Sequence, residues 1–384
     1  MHLSNPLMRR FRLPNLLSWK ISLPNPVRRS LCKSKFGLLD AAAVCVLAIY
    51  LIACALTFDS WVEPTLRGSS EWRIAADSTV YMGVADHIRE RGSGGAIVGL
   101  LALSRNLILP ALVAVALKTD ERIAVFNIVI FFVALYALAR TFPQFRWYVF
   151  LPIVLASPTT YEALLTLNKE LFVFLCAAVM ARWFQTKSSI LMIGLLLLSM
   201  ALRWEQALVI ICFSVLLSMK VRPMHAAVLM IIGISIAYPF AIPSVDVGAD
   251  VTKSSSSAFY AEINALQSYG LYFILLVPKA IIALLSHVVR FWTLFADPAR
   301  LHDLPTGLFV LVDQLCMCFV IVAAWRKKLW KLENPVVYFV LVYCVIFFAA
   351  PENSPRYLYM LFVLMTALLA SPELQSLRIS RKQR

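Results

Sequence analysis

Apolar residues occur along this chain in long runs separated by short polar segments. The first run, Leu38–Thr57, has about the 20 residues that a helix needs to cross a hydrocarbon layer of ~30 Å. Further apolar runs follow at residues 123–139, 147–156, 172–180, 190–202, 207–219, 226–240, 308–324, 336–348 and 357–369. With a few flanking residues added to each, the runs predict an all-α protein, a polytopic transmembrane helical bundle of about ten spans.

The composition indicates that lipid is the solvent of this bundle. Of the 384 residues, 61% are hydrophobic and 15% are charged, and the mean hydropathy is +0.78. Soluble domains have roughly 45–50% apolar and about 25% charged residues. No polar stretch is long enough to fold separately. We therefore expect a single transmembrane domain over residues 37–372, with basic cytoplasmic tails at 1–36 and 373–384.

The positive charge is concentrated in the tails and in alternate loops. The net charge is +15, and the first 36 residues contain eight basic side chains and no acidic one. The short loops on one side carry Arg140 and Arg146, Arg182 and Lys187, Lys220 and Arg222, and Arg326, Lys327, Lys328 and Lys331. Cytoplasmic loops are enriched in Lys and Arg, so both termini of this multi-pass protein are predicted to be cytoplasmic. Membrane lipid is the expected partner of these basic segments, and no nucleic-acid recognition motif accompanies them.

Two long segments, 58–121 and 242–305, fall on the outer side. The first contains the apolar stretch 97–117, and the second contains 272–285, which Pro278 interrupts. The basic loops that follow can all lie on the cytoplasmic side only if neither stretch crosses the membrane. Both are therefore predicted to be interfacial or re-entrant helices.

Five places put ionisable residues where lipid would penalise them, all on the outer side. At the first, Asp77 is followed by Tyr81, Val84 and Ile88 at helical spacing, so the acid ends an apolar stripe. A carboxylate there can act as a general base or can cap an interfacial helix. At the second, Arg105 precedes a proline-containing apolar run, where it can clamp a phosphate or extend along apolar surface to water.

The third place follows a predicted helix start. Thr159 and Glu162 have the spacing of a capping box, which predicts a helix beginning near residue 160. The adjacent Lys169 and Glu170 come two to three turns later, close to an apolar run. An interfacial anchor needs only one charge, so the pair indicates a hydrogen-bonded group of polar residues.

The fourth and fifth places are loops between spans. Arg203 and Glu205 lie between apolar runs of about 13 residues, roughly 20 Å of helix each. Either a hairpin tip lies below the bilayer surface, or one long helix carries both charges at its centre. Both alternatives put the charges in a polar cavity, for function or as a structural salt bridge. Arg356 and Tyr357 open the last predicted span and face whatever the preceding loop covers.

The chain contains no nucleotide-binding, zinc-protease or nucleophile-elbow motif. Seven of its eight cysteines lie in apolar runs without metal-ligand spacing, which favours neither disulfides nor a zinc site. No cofactor and no metal ligand is therefore predicted. The residues leave open whether a divalent metal takes part.

The order of these weak motifs over nearly the whole chain resembles a known superfamily. In chain order the motifs are Asp77 with Tyr81 and Ala85, Arg105 with Pro110, Arg122 with Tyr136 and Arg140, Pro158 with Glu170, Arg203, and Arg356 with Tyr357. This order resembles the GT-C superfamily of membrane glycosyltransferases, which take sugars from polyprenyl-phosphate carriers. Among its members, the chain resembles the bacterial dolichyl-phosphate-mannose-transferase-like enzymes and the polymerases of surface polysaccharide. The chain departs from them in having no second acid beside Asp77 and no Lys-Pro in the interfacial stretch.

The resemblance implies transfer of a sugar or glycan to a saccharide or lipid acceptor at the outer membrane face, in cell-surface polysaccharide or glycolipid assembly. It implies Asp77 as the catalytic base in an inverting displacement, with no metal needed if protein cations stabilise the departing phosphate. The implied substrate- and phosphate-binding residues are Tyr81, Arg105, Lys169, Glu170, Arg203, Glu205, Arg356 and Tyr357.

Two other classes of function remain open. A transporter or flippase of a lipid-linked or anionic solute could use the same cavity without chemistry. Transporters usually have paired repeats and spans broken by Gly or Pro, whereas this chain has no evident repeat and only 12 glycines, which favours the enzyme. A structural membrane subunit is disfavoured because five charged groups of residues fall on one side.

Reporter fusions test the predicted topology. Fusions after Arg146, Lys187, Arg222 and Lys328 should report a cytoplasmic position, because these loops carry the basic excess. Fusions after Glu71, Ser256 and Asn353 should report the outside. A cytoplasmic signal at Ser256 would contradict the parity of the loops and, with it, the interfacial assignment of 97–117.

Overall fold

The computed structural model describes residues 37–58, 78, 80–90, 108–241, 263, 266–296, 304–349 and 355–379. Within these residues, 85% are helical and none forms a strand, which confirms the all-helical prediction for this part. The helices are α1 Leu38–Thr57, α2 80–90, α3 Ile108–Leu117, α4 Asp120–Thr141, α5 Trp147–Leu155, α6 Pro158–Leu165, α7 Glu170–Thr186, α8 Ser189–Leu202, α9 Trp204–Ser218, α10 Pro223–Ala241, α11 Tyr272–Ala296, α12 Leu304–Arg326, α13 Pro335–Phe347, α14 Tyr359–Ala370 and α15 Pro372–Ser376, with a 3-10 turn at Pro355–Leu358.

The core of the bundle is formed by α7, α13 and α14. All twelve residues of α14 are buried, and most of α7 and α13 is buried as well. These helices carry apolar residues on all faces, a pattern typical of helices surrounded by protein. α14 packs against α5, α7 and α12. Rings fill the spaces between the helices: Phe131 and Phe174 lie 5.0 Å apart, and Phe213 and Phe339 lie 5.3 Å apart.

The peripheral helices bury one stripe and expose the rest. In α1, the buried residues are Asp40, Ala43, Leu47 and Cys54, which share one helical face and pack against α5. Ile49, on another face, is 67% exposed. Exposed apolar side chains along whole helices fit contact with lipid, since water would penalise such a surface. Several long apolar helices therefore fit a membrane protein.

Within the part of the chain that the structure describes, four helices are long and apolar enough to cross a membrane: α1, α4, α10 and the part of α12 at Gly307–Arg326. The pair α5 and α6, bent by 78° at its break, would make a fifth. The helices α8, α9, α13 and α14 coincide with predicted spans but have only 12 to 15 residues. A straight span needs about 20 residues. The number of ten spans therefore stays a prediction.

Local expectations were wrong at two points. Pro278 does not interrupt its segment, because α11 runs through it for 25 residues. α6 begins at Pro158, close to the predicted start, but Ser157 is its N-cap and the expected Thr159–Glu162 capping box does not form. The cap comes instead from Asp313 on α12. Of the predicted interfacial stretch, the ten residues of α3 are described, and 97–107 lie outside the described residues.

The two ends of the bundle are called upper, where α7 begins, and lower, where α7 ends. At the lower end, Arg146 N donates to Ala370 O at 3.0 Å, and Trp147 N donates to Asp40 Oδ1 at 3.0 Å. These bonds put the C-terminal end of α14 and the start of α1 at one level. α15 packs under α7 and α14, so the chain after residue 371 begins as part of the bundle.

Ala43 provides a test of the packing between α1 and α5. Ala43→Leu should lower the midpoint of thermal unfolding in detergent, because overpacking a filled contact costs about 1–3 kcal/mol. The matched control is Ala48→Leu on the exposed face of the same helix, where the extra methyl groups meet lipid or detergent. Equal midpoints for the two variants would contradict the described packing of α1.

Candidate functional site

The candidate site begins at the loop that connects α6 to α7. Thr166 ends α6 in an extended conformation, and Asn127 Nδ2 of α4 donates to its carbonyl at 2.7 Å. Lys169 then takes the N-cap position of α7, with its side chain buried. Glu170 is the first helical residue and is fully buried; its N–H donates to Asn168 Oδ1 at 3.4 Å. A carboxylate at this position is favoured by the positive end of the helix dipole.

Arg203 reaches the same place from the tip of a hairpin. It is the single residue between α8 and α9, with an extended backbone at φ −154° and ψ 107°. Ser214 Oγ lies 3.8 Å from Met192 Sδ, and these two residues are equally distant from Arg203 in the sequence. The two helices therefore run antiparallel. Of the two arrangements predicted for this region, the structure has the hairpin.

Glu170 and Arg203 form a buried ion pair. Arg203 Nη2 lies 2.5 Å from Glu170 Oε1, and the two side chains are 3% and 0% exposed. The guanidinium carbon of Arg203 is 4.8 Å from the ring centre of Tyr357, within the range of a cation–π contact. Tyr343 OH donates to Tyr357 O at 2.7 Å and so fixes the turn before α14 to α13. Three distant parts of the chain meet at this pair.

Several polar atoms of this cluster have no hydrogen-bond partner within the described part of the chain. They are Arg203 Nε and Nη1, Glu170 Oε2 and Gln206 Oε1, all buried. Gln206 lies one turn into α9, and its Nε2 is 3.0 Å from Met360 Sδ. Because buried polar atoms are normally paired, unsatisfied donors beside an ion pair are where a polar substrate group or water would bind.

The pair lies below the upper ends of the long helices. α4 has 22 residues, or ~33 Å, whereas α14 has 12, or ~18 Å, and the two end near one another at the lower end. Asn127, which holds the loop before α7, is seven residues into α4, a depth of ~10 Å. The short core helices thus place the charged pair within the thickness of the bundle.

A second polar group adjoins the first through Tyr359. Asp313 of α12 accepts hydrogen bonds from Ser157 Oγ at 2.6 Å, from Thr159 N at 3.2 Å and from Thr159 Oγ1. Thr160 Oγ1 and Tyr359 OH are 2.7 Å apart. A small cavity beside Asp313 is lined by Ser157, Thr159, Ala283, Leu284, Asp313, Gln314, Met317, Leu358, Tyr359 and Phe362. With three donors engaged, Asp313 caps α6 and is poorly placed to act as a base.

The remaining predicted site residues are distributed as follows. Tyr81 is buried in α2 and belongs to one apolar cluster with Leu167, just before Lys169. Glu205 lies in the first turn of α9 and is half-buried.

The other predicted residues are not described in full. Asp77, the expected base, and Arg105 lie outside the described residues. Arg356 belongs to the 3-10 turn before α14, and its side chain also lies outside what the structure describes.

Asp313, Tyr359 and Gln206 were not among the site residues predicted from the sequence. Asp313 is the single acid within a long apolar run, and that isolation was its signal. Gln206 and Tyr359 carried none, because neutral polar residues near helix ends are common in any bundle.

Comparison with protein-family models, with curated proteins and with solved structures gives no match to this chain.

Paired substitutions test the coupling of Glu170 and Arg203. Glu170→Gln or Arg203→Met alone should destabilise the protein by about 3–5 kcal/mol, because each leaves a buried charge unpaired. The double variant should recover most of that loss, as measured by thermal unfolding in detergent. Arg182→Met, at the exposed lower end of α7, is the control and should have little effect. Strictly additive losses in the double variant would show that the two charges are not coupled.

Proposed function

We propose that this chain is an integral membrane glycosyltransferase. It moves a sugar or glycan from a polyprenyl-phosphate-linked donor to a saccharide or lipid acceptor, in the assembly of a cell-surface polysaccharide or glycolipid. The observation that carries the proposal is the buried Glu170–Arg203 pair, whose guanidinium has unpartnered N–H groups among the described residues. Ionisable groups at such depth in an apolar bundle are expensive and are typical of substrate sites.

The chemistry of a lipid-linked donor suits this position. Its apolar chain stays in the bilayer, while its phosphate must meet cations at the edge of the hydrocarbon layer. Arg203 and Lys169 supply two buried cationic side chains, and charge-assisted hydrogen bonds to phosphate are among the strongest available. Glu170 holds the guanidinium in place and leaves Nε and Nη1 for the ligand. Arg105 and Arg356 remain proposed as further phosphate ligands.

The position of α2 supports a base from the first outer loop. Tyr81 and Ala85 pack with Leu167, which lies two residues before Lys169, so α2 is attached to the loop that carries the cations. Asp77 precedes Tyr81 by four residues in the sequence. Asp86 is 61% exposed on another face of α2 and pairs with Arg89 at 2.6 Å.

In the proposed reaction, Asp77 accepts the proton of the acceptor hydroxyl. The acceptor oxygen bonds to the anomeric carbon as the bond between that carbon and the carrier phosphate oxygen breaks, and the configuration inverts. Arg203 and Lys169 stabilise the negative charge that develops on the departing phosphate. We further propose that this occurs at the outer face of a bacterial inner (plasma) membrane, with both termini cytoplasmic.

The break between α5 and α6 favours a second candidate. Transporters and flippases commonly place a solute site at a broken helix, and α6 begins after a 78° bend with its N-terminus at Asp313. In this chain the carboxylate of Asp313 already occupies that N-terminus. We therefore rank transport of a lipid-linked or anionic solute second.

Asp77→Asn tests the proposed chemistry. The amide keeps the shape of the side chain and can cost at most about 1 kcal/mol of capping. It cannot accept a proton, and a general base contributes about 10²–10⁴-fold in rate. The variant should express and unfold like the natural protein yet lose transfer of sugar from a polyprenyl-phosphate donor, measured with radiolabelled donor in membranes.

Asp86→Asn, nine residues later in the sequence and exposed on α2, is the matched control and should keep most of the activity. Loss of activity in Asp86→Asn with normal turnover in Asp77→Asn would move the base to Asp86. If neither variant matters and no donor sugar is ever consumed, the transporter candidate replaces the enzyme.

A further inference from the structure

Three lysines end helices at the lower end with the same backbone conformation. Lys187 after α7, Lys220 after α9 and Lys328 after α12 have φ of 54°, 55° and 53°. A residue with a left-handed backbone conformation commonly ends a helix, and the negative end of the helix dipole stabilises a cation at that position. Lys220 and Lys328 are exposed, as that role requires. Only the amine of Lys187 is buried, so its role as a cap does not explain its position.

The Lys187 side chain reverses the usual arrangement of lysine at a membrane edge. Lysine normally lays its stem on apolar surface and extends its amine into water. Here Nζ is buried without a hydrogen-bond partner among the described residues, 4.0 Å from the ring centre of Trp183 and 5.5 Å from that of Phe184. Burial lowers the pKa of Lys187 to about 7. An amine in this position gains from an anion that would pair with its charge.

A second unpartnered donor lies on the same face of α7. Trp183 Nε1 is buried and has no hydrogen-bond partner within the described chain, and residues four apart share a helix face. The unpartnered Oε1 of Gln185 belongs to the opposite face of the helix. Two donors without an acceptor beside them favour an anionic ligand over a neutral polyol.

The start of α8 adds main-chain donors and an apolar track. Its N-cap, Ser188, has an extended backbone and makes no side-chain cap, so the first N–H groups of this 14-residue helix receive no cap from it. A helix N-terminus in that state attracts phosphate. Ile190, Ile193 and Leu197 are 80%, 55% and 65% exposed along one side of α8, starting at this same end. A lipid chain lying along them has its headgroup at the level of Lys187.

We propose that the turn between α7 and α8 binds the phosphate of an anionic phospholipid in the leaflet at the lower end. Lys187 Nζ and Trp183 Nε1 donate to its oxygens, and an acyl chain follows Ile190, Ile193 and Leu197. Net anionic headgroups are preferred over zwitterionic ones because no carboxylate is among the groups assigned to the turn. This site is independent of the proposed glycosyl transfer at the other end of α7.

Native mass spectrometry of the full chain in neutral detergent measures the affinity for the first bound phosphatidylglycerol. Lys187→Met should weaken it about tenfold, as expected for loss of a charge-assisted hydrogen bond. Lys220→Met and Lys328→Met remove the same charge from the same kind of helix end and should change it less than about twofold. Equal losses of affinity in all three variants would show that the basic loops attract the lipid without a defined site, and would overturn the proposal. Equal affinity of the natural protein for phosphatidylcholine would also overturn it.

The titration of Lys187 gives a second readout that does not require a variant to fold. The protein is labelled isotopically at its lysines, and the pKa of each amine is measured by NMR titration in nanodiscs. In phosphatidylcholine nanodiscs, Lys187 should have a pKa of about 7. Phosphatidylglycerol nanodiscs should raise that pKa by more than they raise the pKa of Lys220, because a bound anion favours the ammonium form. An equal rise at both lysines would overturn the proposal. A rise produced by inorganic phosphate alone would replace the lipid site by a free-anion site.

Discussion

The ion pair between Glu170 and Arg203 ties together the parts of the chain that build the upper end of the bundle. Removing either charge leaves the other buried in apolar surroundings, where an unpaired ion costs several kcal/mol. The position of α7 therefore depends on the hairpin tip between α8 and α9, and the tip depends on α7. Tyr357 adds the turn before α14 to the same contact. We therefore expect a substitution in any one of the three segments to affect the packing of the other two.

A difference in helix length explains why this pair can exist at all. If every helix were as long as α4, Arg203 would lie at the upper surface of the bundle, where water and lipid headgroups could solvate its charge. It would then need no partner inside the protein. The short core helices α7, α8, α9 and α14 end below the long helices α4 and α12, so charges at their upper ends stay within the bundle. Asp313 is a second example of a polar group inside the bundle. The break between α5 and α6 leaves the first N–H groups of α6 without helical partners, and the carboxylate of Asp313 accepts a hydrogen bond from one of them. Polar groups are thus brought inside by helix ends.

The two ends of α7 differ in how they treat a buried cation. At the upper end, Arg203 has a carboxylate partner, and its Nε and Nη1 have no partner among the described residues. At the lower end, Lys187 lies over aromatic rings with no carboxylate partner among the described residues, and burial alone lowers its pKa. Arginine stays charged in almost any surroundings, whereas a buried lysine can lose its proton. The charge of Arg203 therefore suits the proposed phosphate site at every physiological pH, whereas the charge of Lys187 in the proposed lipid site depends on whether an anion is bound.

Apolar runs in the sequence predicted most of the long helices that the structure describes, because a regular helix satisfies every backbone group within its own segment in lipid. The run 38–57 coincides with α1 to the residue, and the expected break at Arg203 is present. The sequence indicated a polar group at Lys169 and Glu170 and, separately, a polar cavity at Arg203. It did not predict that Glu170 pairs with Arg203, since residues more than 30 positions apart meet solely through packing. Asp313 stood out in the sequence only as the single acid of its apolar run, and that isolation did not show that it caps α6, because the cap comes from a neighbouring helix. The inward amine of Lys187 left no local signal, since Lys220 and Lys328 have the same backbone conformation with exposed side chains. Those features depend on which helix faces which, and only the tertiary structure decided that.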